Sequence, residues 1–490
     1  MDKVSPGIIL IRYSSEVVIK GRPAKARFAT RVRRHIRKLA RLNQLECELI
    51  KGFNCLVLKS PQAEEFIPLL KRVFGIGLFC PVVGTCGADL DEILKVGLEI
   101  FRERIQGKTY AVRAKKVGTS SVPRRQVEIQ LGSVLNPFGT VNLTEPEVTV
   151  HVDVNNDEVL FYCQRIRGAG GLPCGSQGSA LALMSGGFDS AVAAWRIMRR
   201  GVAVHFLFCN LGGAAYERSV LQVTKVLCEL WGRAYYPRFY SVDFGQIAQE
   251  LRREVGGAGQ QVALKRKMYE VASRLGEELE VDALITGEAI GQVSSQVLRN
   301  LKLIEEKATL PVLRPLVGMD KEEIMAEAKH VGTAVLSEKI REFCGLGGEK
   351  PMISGRRDKV EPGEARLSQE LVDDCLENLK KRDIHAVDGV TLRKDFLFVE
   401  AVPSEAEVID CQEAHMRRDW QWPRSTHIDW ETLVSGTQKL DKTKVYVVYC
   451  TYGTKAPLAA EVLQLQGYEV YALRGTINQV RELATQTLTH

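Results

Sequence analysis

The run Leu181-Ala-Leu-Met184-Ser185-Gly186-Gly187-Phe188-Asp189-Ser190 carries an apolar stretch into a turn of small residues and then into a helical pattern. Small residues let backbone N–H groups close on an anion, and the unpaired N–H groups of a helix start, with the dipole behind them, hold phosphate. Ser185, Gly186, Gly187 and Ser190 are therefore candidate phosphate ligands. The spacing is neither G-x-x-x-x-G-K-[ST] nor G-x-G-x-x-G, so two common nucleotide loops are excluded. A glycine turn that merely joins strand to helix is the alternative. A second candidate is Cys450, in Val445-Tyr-Val-Val-Tyr-Cys450-Thr-Tyr-Gly453-Thr-Lys455-Ala456, where a strand runs through a loop into a helix. Backbone N–H groups at such a helix start lower a thiol pKa and favour a thiolate or persulfide, with Lys455 as an added cation. A buried strand-end cysteine is the plainer reading. Cys344, in Phe343-Cys344-Gly345, reads alone as an incidental loop thiol.

The first two candidates require parallel sheets. Alternation from residue 180 onward predicts strands at 180–184, 202–207, 238–242, 282–286 and 312–315. Helices are expected over 189–200, 217–232, 263–278, 294–305 and 321–331. Ligands of open parallel sheets sit at the carboxyl edge, where Gly287-Glu288 ends a strand and Gln292-Val-Ser-Ser-Gln296 follows. Lys265 is expected to open a helix. Residues 345–366, rich in Gly, Pro, Lys and Arg, read as a loop. A last α/β unit spans 404–490, with strands at 408–410, 445–449 and 470–473 and a helix at 457–466. Before residue 168 the pattern is α+β: a strand at 7–13, a helix at 24–42, strands at 46–51 and 54–58, then helices at 63–73, 90–104 and 123–134. Strands at 79–85, 109–113, 147–154 and 158–164 complete that part, and the glycine cluster 168–178 reads as a linker.

The chain has 490 residues, 45% of them apolar and 26% charged, an ordinary globular balance for about three domains. No apolar run approaches the roughly 20 residues that span a bilayer, and the N-terminus lacks a secretory pattern, so a cytoplasmic protein with no membrane partner is expected. Net charge is +7, yet residues 1–41 hold twelve Lys or Arg against Asp2 and Glu16. Such a basic end points to a polyanion such as nucleic acid, with a solvated helix face as the alternative. Arg31, Arg34 and Lys38 lie on the charged face of helix 24–42, and Arg113, Lys115 and Lys116 add charge farther on. Twelve cysteines contain no C-x-x-C pair, which disfavours a structural zinc site. Cys47, Cys55, Cys163, Cys209 and Cys228 sit in apolar surroundings and read as inert core thiols.

S-G-G-x-D-S resembles the PP-loop of ATP pyrophosphatases, which split ATP between the α- and β-phosphates. That resemblance implies a pyrophosphate cradle with Asp189 organising a metal and the reacting groups. Basic N-terminal modules, this loop, Cys344 and a terminal cysteine-bearing unit together resemble the tRNA 4-thiouridine synthetase family along nearly the whole chain. The implied architecture is multidomain α+β and α/β: a ferredoxin-like domain at 1–60, a THUMP RNA-binding domain at 63–167, a PP-loop ATP pyrophosphatase domain at 175–395 and a rhodanese-like domain at 404–490. The family's ATP contacts fall on Leu183, Met184, Lys265, Gly287 and Gln296. The Cys450 loop resembles the rhodanese loop C-x-x-G-x-x-[SA], and Val408-Ile409-Asp410 resembles a rhodanese strand from which Cys411 and Gln412 depart.

The implied reaction uses ATP and Mg²⁺ to adenylate uridine 8 of tRNA, whereupon persulfide sulfur from Cys450 displaces AMP and Cys344 pairs with Cys450 as a disulfide. A cysteine desulfurase is the implied sulfur donor, and a thiamine sulfur-carrier protein is a further implied partner for thiazole synthesis. The sequence names no metal ligand beyond Asp189, and it leaves monomer and homodimer both open. Two rivals stand beside this reading. A PP-loop amide-forming or other tRNA-modifying ligase would make Cys450 dispensable, and a noncatalytic RNA-binding sulfur carrier would release no pyrophosphate.

Overall fold

The computed structural model describes residues 7–52, 54–116, 122–155, 158–255, 257, 259–338, 340, 355–368, 370–387, 397–412, 417, 419–435, 440–451 and 455–488. The chain forms two compact units, one of Met1–Gln177 with Met198–Val202 and Arg233–Tyr235, the other of the remaining residues.

The first unit holds two five-stranded sheets. One has the order β10-β4-β1-β3-β2, built from β1 (Ile8–Tyr13), β2 (Glu48–Lys51), β3 (Cys55–Lys59), β4 (Ile76–Pro81) and β10 (Ile166–Arg167), all antiparallel. The helix Arg22–Leu42 covers it, burying Phe28, Val32, Ile36 and Leu39 at the expected spacing, against Leu56, Leu58, Phe66 and Phe79. The second sheet runs β5-β9-β8-β6-β7, from β5 (Gly84–Gly87), β6 (Thr109–Lys116), β7 (Thr140–Val141), β8 (Val148–Val154) and β9 (Glu158–Tyr162). Its core joins Phe101, Tyr110, Leu131, Val150 and Phe161.

The strand expected at 79–85 is in fact two strands in two sheets. Val82 N–H donates to Ile8 O in the first sheet at 2.9 Å, and Val83 N–H to Phe161 O in the second at 2.8 Å. The seam between the sheets therefore lies at Val82–Val83, and the boundary drawn at 60–63 falls inside the first core. Ala63, Phe66 and Leu70 of helix Ala63–Leu70 belong to that core, which apolar periodicity alone does not assign to one sheet or the other.

The second unit contains a six-stranded and a five-stranded sheet. The first has the order β15-β14-β11-β12-β13-β16, with β11 (Ser179–Leu183), β12 (Ala203–Asn210), β13 (Arg238–Asp243), β14 (Ala283–Ile285) and β15 (Val312–Leu313) parallel. β16 (Lys380–Asp383) closes the edge antiparallel to β13, a polar strand without apolar alternation to announce it. β11 lies between β12 and β14, so the connections on its two sides diverge and open a crevice at its carboxyl end. Three helical expectations change. Gly245–Glu254 is helical, Arg357–Glu364 is a helix within the expected 345–366 loop, and 294–305 divides into a 3₁₀ turn, Ser294–Gln296, and helix Leu298–Glu305.

The five-stranded sheet has the order β17-β21-β20-β18-β19 and is wholly parallel, from β17 (Phe398–Val399), β18 (Glu407–Asp410), β19 (Thr426–His427), β20 (Val445–Tyr449) and β21 (Glu469–Leu473). Its central strands β20 and β21 are short and largely apolar, as burial on both faces requires. Here too the order diverges, between β18 and β20, with Cys450 just past the end of β20.

Candidate active site

After β11 the ladder continues one residue, Met184 N–H donating to Leu207 O at 2.8 Å, and then turns. Gly186 sits at φ +81°, in the left-handed region that a side chain disfavours, and a Cβ there would meet Ile340 at 2.7 Å. The turn binds itself together: Ser185 N–H donates to Ser190 Oγ at 3.3 Å, Gly187 N–H to Ser185 Oγ at 3.3 Å, and the Ser190 hydroxyl to Gly187 O at 3.2 Å. Helix Phe188–Arg199 begins there. Gly287 lies so close that its Cβ would stand 2.6 Å from the Asp189 carbonyl carbon. Backbone is packed on backbone, so glycine is required.

A cavity of about 220 Å³ opens beside this turn. Leu183, Met184, Ser185, Asp189, Ser190, Lys265, Gly287 and Gln296 all line it, while Gly186 and Gly187 shape the turn without facing the cavity. Lys265 comes from within helix Gln260–Glu278 rather than from its start. Cys209, read from the sequence as inert core, also lines the cavity.

The polar wall is organised by Glu288. Lys265 Nζ reaches its Oε1 at 3.1 Å, while Oε2 accepts from the Tyr269 hydroxyl at 2.6 Å, Arg314 Nε at 3.0 Å and the Thr286 hydroxyl at 3.2 Å. Burial pushes this carboxyl up, but Lys265, the Tyr269 hydroxyl and Arg314 outweigh it and hold Glu288 below its ordinary range. Burial, followed by Glu288, raises the Tyr269 phenol. The wall thus offers a fixed cation and a protonated phenol. Asp189 Oδ2 accepts from Gln292 Nε2 at 3.0 Å, and Lys321 Nζ stands 3.8 Å from Oδ1.

Sequence reasoning missed Tyr269, Arg314 and Lys321. Tyr269 follows Lys265 by four residues, one helical turn on the same face, and Arg314 directly follows β15 at the sheet's carboxyl edge. Those signals were available. Lys321, the first residue of helix Lys321–Val331, carried none.

At the second switch point Cys450 is buried, and Ala456 N–H, at the start of helix Lys455–Leu465, reaches its Sγ at 3.3 Å. Lys455 Nζ lies over the Trp430 ring, 5.9 Å from the centroid. Helix Lys455–Leu465 packs on helix Gly213–Trp231, with Arg218 and Glu461 4.0 Å apart. The same helix carries Tyr216, whose hydroxyl donates to Ser185 O at 2.9 Å. Cys344 and Gly453 lie outside the described residues.

The basic candidates belong to the first unit. Arg31 and Arg34 are exposed, with Thr30 beside them on a shallow cleft, whereas Lys38 is half-buried with its Nζ 3.3 Å from Tyr235 O. Arg113 is also half-buried, donating to Leu143 O at 2.5 Å, and with Lys115 it lines a cavity of about 610 Å³ shared with Arg12, His151 and Arg165. Lys116 is exposed. Among the described residues no His, Cys, Asp and Glu side chains cluster as a metal site, and no helix is long and apolar enough to cross a membrane.

Residues 175–368 match the family model described as thiamine biosynthesis protein (ThiI), residues 8–80 the ThiI ferredoxin-like domain and residues 87–164 the THUMP domain. The tRNA sulfurtransferase of Haemophilus influenzae (strain 86-028NP) is 34% identical over 472 residues, covering 94% of this chain and 97% of that one. Its counterpart in Shewanella amazonensis is 32% identical over 474 residues, covering 94% and 98%. The chain is also similar to the crystal structure of a 4-thiouridine synthetase–RNA complex with bound ATP, with a TM-score of 0.67 and 25% identity, covering 76% of this chain and 98% of that one. PH1313 from Pyrococcus horikoshii shares the fold at a TM-score of 0.52 and 18% identity, over 66% of this chain and 99% of that one. With relatives one-third identical along almost their whole length and a serine–glycine turn where the sheet order diverges, the chain belongs to the tRNA sulfurtransferase family.

Proposed function

We propose that the chain converts uridine 8 of tRNA to 4-thiouridine, using ATP to activate the base and Cys450 to carry the sulfur. The observation that carries this reading is the convergence of Ser185, Asp189, Lys265, Gly287 and Gln296 on one cavity beside the turn after β11. In the first step the uridine O4 bonds to the α-phosphorus, the α–β P–O bond breaks and pyrophosphate leaves. The turn's N–H groups and serine hydroxyls cradle the pyrophosphate, while Lys265, steadied by Glu288, balances its charge. A magnesium ion fits the donor set: it is held by one or two carboxylates plus substrate phosphates, and Asp189 supplies the carboxylate. When bound, it neutralises phosphate charge. In the second step sulfur from the Cys450 persulfide bonds to C4, the C4–O4 bond breaks, and AMP leaves with the oxygen. The Cys344 thiolate then attacks Cys450 Sγ, the bond from Sγ to the transferred sulfur breaks and releases 4-thiouridine, and an external reductant restores both thiols from the Cys344–Cys450 disulfide.

A cysteine desulfurase supplies the persulfide, and a carrier protein for the thiamine thiazole is a further acceptor. Arg31, Arg34, Lys38, Arg113, Lys115 and Lys116 meet tRNA phosphates in this reading. Incubating the protein with tRNA, ATP, cysteine and desulfurase should yield 4-thiouridine by nucleoside mass analysis. Unmodified tRNA with intact ATP would refute the proposal. Replacing Arg31, Arg34 and Lys38 by Ala should lower the salt slope of tRNA binding by up to about 2.7. An unchanged slope would assign that face to solvent.

A further inference from the structure

Two sulfur atoms meet where the five-stranded sheet diverges. β18 and β20 are parallel with Asp410 opposite Tyr449, so the next residues, Cys411 and Cys450, leave the sheet as neighbours. Paired strands lie about 4.8 Å apart, which puts the two side chains within contact. The Cys411 amide donates to Tyr449 O at 3.1 Å, its thiol stands 3.1 Å from the same carbonyl, and Cys450 is the side chain that acts on that thiol most strongly. Cys411 is 2% exposed and Cys450 4%, both in one apolar cluster, so water competes little for these bonds.

A thiol has one proton, and here it has two acceptors. Against a neutral Cys450 the carbonyl is the better acceptor, whereas against a thiolate the anion wins, because charge-assisted bonds are the stronger ones. The neighbouring charges are already engaged. Asp410 accepts from Gln412 N–H at 2.9 Å with Arg417 at 3.4 Å, Lys455 lies over Trp430, and His427 Nε2 meets Gln412 O at 2.9 Å.

We infer that Cys411 is a further catalytic thiol, the S–H donor that stabilises the Cys450 thiolate as it takes up sulfur. In that step the Cys450 Sγ bonds to the terminal sulfur of the donor persulfide, the donor's S–S bond breaks, and the donor leaves as a thiolate. Cys450, then burial, hold Cys411 protonated, so it keeps its proton to donate while the nucleophile forms. The inference rests on Cys450 being the sulfur carrier proposed above, but its main test does not.

In the full chain under a phosphine reductant, the rate of Cys450 carbamidomethylation is followed against pH by mass spectrometry. Cys411→Val, close in volume but without a donor, should raise the Cys450 midpoint by about one pH unit, about tenfold less thiolate near neutrality. Cys411→Ser, which keeps a donor, should shift it less. An unchanged midpoint in folded Cys411→Val overturns the inference. Should circular dichroism show that variant unfolded, Cys411→Ala makes the same deletion with less bulk, and the wild type provides a second measurement. There Cys450 must alkylate at lower pH than Cys411, and the reverse order overturns the inference. If desulfurase and cysteine load no persulfide on wild-type Cys450 while the midpoint still shifts, the sulfur route fails and the donor assignment stands.

Discussion

The turns after β11 and β20 stand at matching places in their two sheets and, in the proposed function, serve two different anions. Each follows a central parallel strand, each lies where its sheet order diverges, and each leads to the start of a helix. Their surroundings differ. The first is walled by Glu288, Lys265, Arg314 and Tyr269 and stiffened by serine hydroxyls, as a multiply charged polyphosphate requires. The second lies among apolar side chains, with the Ala456 N–H on the Cys450 sulfur and the Cys411 thiol beside it. A polyphosphate needs many fixed dipoles and a cation, whereas one diffuse sulfur anion needs few, and those few lie in a place kept dry.

If the two turns divide the chemistry, damage to each should separate cleanly. Cys450→Ser should lower tRNA thiolation by roughly 10³-fold or more, because the sulfur acceptor is gone, while tRNA-dependent pyrophosphate release stays within about twofold of normal. Asp189→Ala should lower pyrophosphate release by about 10²- to 10³-fold yet leave persulfide loading on Cys450 intact. Release assays and persulfide mass analysis on the same preparations decide the matter. Equal loss of both activities in either variant would break the division.

Gly287→Ala tests how tightly the first turn is built. Its Cβ would fall 2.6 Å from the Asp189 carbonyl carbon, on backbone that cannot rotate away. Overpacking of this kind costs about 1–3 kcal/mol, so ATP affinity should fall by about 5- to 150-fold in a binding titration. Persulfide loading should not change. Unaltered ATP binding would mean that the β14 loop yields freely.

The difference between the turns also explains what could be read in advance. Ser185-Gly186-Gly187-Phe188-Asp189-Ser190 is legible because phosphate binding forces small residues into consecutive positions. Leu183, Met184, Lys265, Gly287 and Gln296, which the family resemblance named, all line one cavity. Glu288 was visible as a strand-end acid, but its partners Tyr269 and Arg314 meet only when helix Gln260–Glu278 and β15 are laid beside β14. Cys411 looked like a departure from a strand pattern. It became chemically meaningful only through the register that sets Asp410 opposite Tyr449. Strand existence was likewise easier to read than membership. The apolar run at 79–85 was plain, yet its division between two sheets depends on where Ile8 and Phe161 offer their carbonyls. Polar β16 had no apolar alternation at all, because it caps an edge.

The smallest expected effect concerns acidity. An unfolded glutamate titrates at about 4.3, and Glu288 in the fold lies below its ordinary value because Lys265, the Tyr269 hydroxyl and Arg314 overcome its burial. Between the folded and unfolded values the folded chain binds fewer protons. The contribution of this network is therefore complete above the unfolded value and is lost as pH falls through the folded one. ATP affinity should accordingly vary by less than about twofold between about pH 8 and about pH 5, as far as this carboxylate governs it. Persulfide loading should instead decline with acid over the same span, since it needs the Cys450 thiolate and protonation removes the nucleophile. Parallel titrations of ATP binding and persulfide loading provide the check. Two curves falling together would show a titrating group shared by both turns and would end the contrast between a paired carboxylate and a poised thiol.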